Sequence, residues 1–113
     1  MLMQGRVLVG KIQQITTKKG QLSKAALKVA DMGPECSSDI VVYWIDFLGD
    51  AALTQTELDS ILGEQFAIDV RLVQATGNNG RTFLNIKGGA IVSADGHVVQ
   101  SGLRHREELK RAS

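Results

Sequence analysis

From Arg6 to Thr17 apolar and polar residues alternate loosely in a stretch rich in Val, Ile and Thr, which predicts a strand. TTKKGQ is then a turn, with Gly20 free to adopt positive φ. Gln21 to Ala30 sets Ala25, Leu27 and Val29 against Lys24, Ala26 and Lys28. Its composition also suits a helix, but the short glycine turn before it favours the return strand of a hairpin. DMGPECSSD, with the single proline, is a loop. Ile40 to Phe47, IVVYWIDF, is almost continuously apolar and predicts a central strand.

The rhythm then changes. Thr54-Gln-Thr-Glu57 has the spacing of a capping box, Leu58, Ile61 and Leu62 form an apolar stripe, and Gly63 suits the position past a helix end. A helix of two or three turns is expected. Period-two alternation resumes from Phe66 to Gln74, placing Phe66, Ile68, Val70 and Leu72 inward and Ala67, Asp69, Arg71 and Val73 outward. GNNG is turn chemistry, and Arg81 to Lys87 returns as the second strand of a hairpin. There Arg81, Phe83, Asn85 and Lys87 share the outward face, while Thr82, Leu84 and Ile86 point inward. AIVSADGHVV suggests a small further hairpin through Asp95-Gly96, and LRHREELKRAS a charged helix or tail.

This order of elements, β-β-β-α-β-β, matches an all-β fold with one short helix. It predicts the five-stranded Greek-key barrel of the OB-fold, followed by a small C-terminal hairpin and tail. Residues 1–100 are expected to form the barrel domain and 101–113 a charged tail. At 113 residues one domain with a single core is expected. No apolar run approaches the roughly 20 residues of a membrane span, and the apolar stretch near the N-terminus is too short for a signal peptide. The single cysteine, Cys36, cannot form an internal disulfide. A reducing cytoplasm and a bystander thiol are expected.

Net charge is only +1, but it is segregated. Residues 1–30 hold six cations and no acid, residues 31–70 nine acids and no Lys or Arg, and residues 71–113 seven cations against three acids. The basic segments coincide with the two predicted hairpins, and the acidic segment contains the helix expected at the barrel's far end. If the hairpins fold side by side, they create a positive field that the total conceals.

GRVLVGKIQQITTKKGQ, the helix before FAIDVRLVQ, and GNNGRTFLNIKG resemble the first hairpin, helix and closing hairpin of single-stranded-DNA-binding OB-fold proteins. The resemblance spans roughly residues 4–92 and is to a compact phage- or plasmid-type protein, or to a bacterial one without the acidic partner-recruiting tip, in whose place this sequence has REELKRAS. It implies largely sequence-independent binding of single-stranded DNA in replication or recombination, without cofactor or catalysis. It also implies a homo-oligomer, dimer or tetramer, and no membrane partner. The implied phosphate contacts are Lys11, Lys18, Lys19, Lys24, Lys28, Arg71, Arg81 and Lys87, with Phe83 and Trp44 stacking on bases.

Each residue also has a plainer reading. Trp44 in a central strand can be core, Phe83 can serve a protein contact, and Lys18-Lys19 can be solvated charge. Single-stranded RNA is an equally suitable ligand for backbone tracking and stacking, and an OB-fold interaction module or assembly subunit is the competing class. His97 and His105 have no metal-ligand spacing and read as a surface imidazole and a tail residue. Asp46 and Asp50 lack a third ligand or base and read as solvation of a sheet edge. No nucleophile elbow, phosphate loop or dinucleotide motif is present.

Overall fold

The computed structural model describes residues 1–33 and 41–105. Cys36 and the Pro34–Asp39 part of the predicted loop lie outside them, as do Ile40, the first residue of the predicted central strand, and the tail beyond His105. Five strands form a closed barrel in the order β1-β2-β3-β5-β4. They are β1 Leu2–Thr17, β2 Gly20–Asp31, β3 Val42–Leu48, β4 Gln65–Thr76 and β5 Thr82–Val92. One helix, α1 Gln55–Ile61, and a 3-10 turn at Gly49–Ala51 join β3 to β4. This is an OB-like all-β barrel, as the element order predicts. No helix among the described residues is long and apolar enough to cross a membrane.

β1 begins at Leu2 rather than Arg6, because Leu2–Arg6 pairs antiparallel with Asp69–Gln65 and closes the barrel. That partner lies far along the chain, and local alternation carries no trace of it. β2 is a strand of the first hairpin, paired with β1 from Thr17–Gly20 back to Gly5–Asp31. One β-bulge interrupts this ladder between Val7 and Val9, where Leu8 is the extra residue. β2 pairs antiparallel with β3, β3 meets β5 in parallel at Asp46 and Lys87, and β5 returns along β4.

Val7, Leu27, Val29, Ile45, Phe47, Ile68, Val70 and Ile91 fill the interior, with Leu53, Leu58 and Ile61 closing one end. α1 is held by the expected capping box. The Glu57 N–H donates to Thr54 Oγ1 at 3.2 Å, and the Thr54 N–H donates to Glu57 Oε1 at 2.9 Å. Leu58 packs over Gly10, where a β-carbon would stand 2.4 Å from its Cδ1. Leu62 does not join the apolar stripe. It is the C-cap, outside helical geometry, and is exposed. Gly63 follows at φ +81° and donates its N–H to Val7 O.

The inward positions assigned to Leu72, Thr82 and Leu84 are corrected. Leu72 is 57% and Leu84 64% exposed, and Thr82 is also exposed. Their parity is right, but β5 pairs with β3 only at Lys87; Ile86 still packs against the core, and beyond it the β4–β5 hairpin continues to its turn as a two-stranded arm. β1 and β2 likewise extend past their barrel partners to the Lys18-Lys19 turn.

After β5 the chain turns at Ser93–His97 and returns through a single bridge, Val92 to Val98, a smaller feature than a full hairpin. Gln100 is then fully buried. Its Oε1 accepts the Ile91 N–H at 3.0 Å, and its Nε2 donates to Gly89 O at 2.7 Å and Ala51 O at 3.2 Å. Residues 101–105 are helical, and the Ser101 N–H donates to Glu57 Oε2 at 2.7 Å.

Candidate functional site

Residues paired across a ladder present their side chains on the same face. The pairings therefore define a row across the outside of all five strands: Lys11, Ala26, Asp46, Lys87, Arg71. On one side of it runs Val9, Lys28, Trp44, and on the other Gln13, Lys24, Leu48. Six of the sequence-predicted site residues, Lys11, Lys24, Lys28, Trp44, Arg71 and Lys87, thus point outward. Lys24, Lys28, Trp44 and Lys87 lie together around Asp46 on the adjacent strands β2, β3 and β5, with Lys11 and Arg71 one strand farther round the barrel on either side. On β2, β3 and β4 the reason is local, because Lys24, Lys28, Trp44 and Arg71 have the opposite parity to Leu27, Ile45, Phe47 and Val70, which the core takes. Lys11 and Lys87 share the parity of the core residues Val7 and Ile91 and are turned outward by the register shifts in β1–β2 and β4–β5.

Trp44 is not core. It is 49% exposed, directly opposite Lys28, while Ile45 and Phe47 fill the interior and Tyr43 packs against it. The bulge at Leu8 leaves Val9 on this same outer face, beside Lys28, and exposed. An indole with an aliphatic neighbour and an ammonium opposite is a surface that a flat, negatively charged polymer can cover.

Phe83 lies farther along β5, on the face it shares with Asn85 and Lys87 and opposite Ala75, Val73 and Arg71. Its ring lies near Gly77, where a β-carbon would stand 3.3 Å from Phe83 Cε1, and remains 48% exposed. Arg81 stands at the foot of the turn, where its N–H donates to Asn79 Oδ1 at 3.1 Å and its carbonyl accepts the Gly77 N–H at 2.8 Å. Lys18 and Lys19 occupy the other tip. There Thr17 Oγ1 accepts the Lys19 N–H at 3.2 Å and donates to Gly20 O at 2.8 Å, and Gly20 has φ +115°.

β3 runs in the same sense as β1 and as β5. The Lys18-Lys19 tip follows β1 and the GNNG tip precedes β5, so the two tips point in opposite senses along the strands. Each is about 20 Å of extended chain from the central row. Lys18, Lys19 and Arg81 are therefore placed at the ends of the face rather than beside Trp44.

Asp46 was legible only as solvation of a sheet edge, and the structure corrects that. It sits in the middle of the basic face, with Oδ1 3.8 Å from Lys24 Nζ and Oδ2 3.6 Å from Lys87 Nζ. The side chains of all three are about one quarter exposed. The sequence signal existed in the shared outward parity of Trp44 and Asp46, but the parallel contact with Lys87 is non-local. Gln100 had no signal, since nothing in its flanking residues distinguishes it from a surface glutamine.

Ser93, Asp95 and His97 form a second polar group in the turn after β5. Ser93 Oγ hydrogen-bonds Asp95 Oδ1, and His97 Nε2 lies 3.7 Å from Asp95 Oδ2. The Ser93 hydroxyl, with lesser help from His97, holds the Asp95 carboxyl below its usual value. The hydroxyl faces the carboxylate rather than the imidazole, so the group braces the turn and does not offer His97 as a base to Ser93. No group of three or more His, Cys, Asp or Glu suited to a metal occurs among the described residues. Comparison with protein-family models and with curated proteins finds no match.

Proposed function

We propose that the protein binds single-stranded DNA across the outer face of β2, β3 and β5, without catalysis and with phosphate contacts as the main source of affinity. The observation that carries this reading is Trp44, half-exposed on β3 with Lys28 directly opposite, Lys24 and Lys87 on the neighbouring strands, and Lys11 and Arg71 one strand farther on either side. Stacking on an aromatic is worth about 1–3 kcal/mol per base, and lysines that neutralise phosphates add a salt-sensitive term. Protein-binding surfaces tend to be depleted of lysine at their centres, which favours nucleic acid for this face.

The test is fluorescence-anisotropy titration with a labelled oligo-dT at two salt concentrations, with duplex DNA and an oligo-rU of equal length as competitors. The reading expects binding that weakens with salt and resists duplex. Equal competition by rU extends the ligand to RNA, and no binding at low salt overturns the reading.

A second reading, an assembly subunit, is favoured by a different observation. Leu72 and Leu84 are exposed on the opposite face of the β4–β5 arm. Exposed leucines on a two-stranded arm suit a contact with another protein chain. Concentration-dependent sedimentation that Leu84→Asp abolishes supports it, and a monomer at all concentrations removes self-assembly.

A further inference from the structure

Asp46 is an acid on a face where every other charged side chain of the central rows is a cation. If phosphate attraction were the whole design, a carboxylate there would be a defect. It repels the backbone and offsets part of the charge of two lysines. Its placement suggests a different task. Trp44 and Asp46 are two residues apart on one face of β3, about 6–7 Å along the strand. A base stacked on Trp44 thus lies within one side chain's reach of the carboxylate.

We propose that Asp46 reads the edge of the base stacked at Trp44, favouring bases with an exocyclic amino group (cytosine first) over thymine and uracil. The inference rests on the single-stranded-DNA reading and adds to it a modest base preference. An ionised carboxylate only accepts hydrogen bonds, with two lone pairs on each oxygen. Lys24 and Lys87 stand 3.8 and 3.6 Å away, beyond direct N–H···O bonding distance, so they steady the carboxylate without using up its acceptor positions. The cytosine N4 amino group is a donor that matches such an acceptor. Thymine has a carbonyl oxygen at that position, which faces the carboxylate acceptor to acceptor. The flanking ammonium groups keep the acid tolerable near phosphate and remain close enough to contact the backbone on either side.

The experiment compares dC and dT strands of equal length, at neutral pH and one salt concentration, for the wild type and Asp46→Asn. The two pyrimidines offer similar stacking area, so the difference isolates the edge. The wild type is expected to bind dC about fivefold more tightly, the factor that roughly 1 kcal/mol gives. In Asp46→Asn, whose amide can present either a donor or an acceptor, the ratio falls to within about twofold, while both strands bind more tightly. Two outcomes overturn the proposal alone: equal wild-type affinities for dC and dT, or a preference for dC that survives Asp46→Asn. Binding of neither strand by the wild type overturns it together with the reading on which it rests.

Discussion

The ring of Phe47 occupies the place where a side chain on Gly88 would begin. A β-carbon at Gly88 would stand 2.1 Å from Phe47 Cε1 and 2.4 Å from Cζ. The glycine lets the fully buried ring of β3 press against the backbone of β5, one residue from the Asp46–Lys87 contact that joins the two strands. Closure of the barrel and the position of Lys87 on the outer face therefore depend on the same close approach. Gly88→Ala is expected to destabilise the fold by roughly 1–3 kcal/mol, the usual cost of overpacking. Urea denaturation reads this as a lower midpoint at similar slope. Phe47→Leu in the same background should recover part of the loss, and an unchanged midpoint in Gly88→Ala would show that the strands are not so tightly apposed.

The aromatic positions separate stacking from folding. Trp44→Ala and Phe83→Ala remove half-exposed rings, so each should leave thermal stability nearly unchanged while weakening single-strand binding by about 1–3 kcal/mol. Circular dichroism and anisotropy on the same samples check the pair. A folded variant with wild-type affinity takes that ring out of the interface.

Most of the barrel was legible because period two governs it. Ile68 and Val70 fell inward and Lys24, Lys28, Arg71 and Lys87 outward from alternation alone, whereas the nearly continuous apolar run of β3 left Trp44 open between core and surface. The capping box and Gly63 marked the helix ends from local chemistry. What alternation could not convey is where a strand leaves the barrel. Leu72 and Leu84 keep their parity but lose the interior, because the β3–β5 pairing that decides it joins residues distant in sequence. The Asp46 bridge was hidden for the same reason. Leu62 was misplaced because the helix ends one residue before it, and local pattern does not fix a helix end to a single residue.

The hairpin tips carry charge at a distance from Trp44, so their contribution should appear in salt dependence. Replacing Lys18 and Lys19 together by Glu is expected to flatten the slope of log K against log salt by about 0.7 for each phosphate that the tip no longer neutralises. The turn itself is held by Thr17 and Gly20, so the fold should persist. A slope equal to that of the wild type excludes this tip from the strand's path.

Glu57 links acidity to stability. Partial burial pushes its carboxyl up, but the N–H groups of Thr54 and Ser101, with their side chains, outweigh that and hold it below the ordinary value of 4.5. A carboxyl with a depressed folded-state pKa stabilises the fold above its unfolded value, and the contribution is lost as pH falls through the folded one. Glu57→Gln keeps the shape of the capping box and removes the charge. It should lower stability at neutral pH by roughly 0.3–1 kcal/mol, small because the group is partly solvated. The gap in melting temperature should close as the pH falls below about 4.5. A gap that stays constant with pH would assign the effect to shape rather than charge.

Trp44 is the single tryptophan of the chain, so its emission reports on the centre of the proposed interface and on nothing else. Titrating the protein with an unlabelled oligo-dC near neutral pH and low salt, then adding salt to release the strand, is the most direct test. Stacking of a base on the indole predicts saturable quenching that salt reverses. Emission that stays unchanged at saturating strand concentration would place the nucleic acid elsewhere or nowhere on this barrel, and would contradict the account.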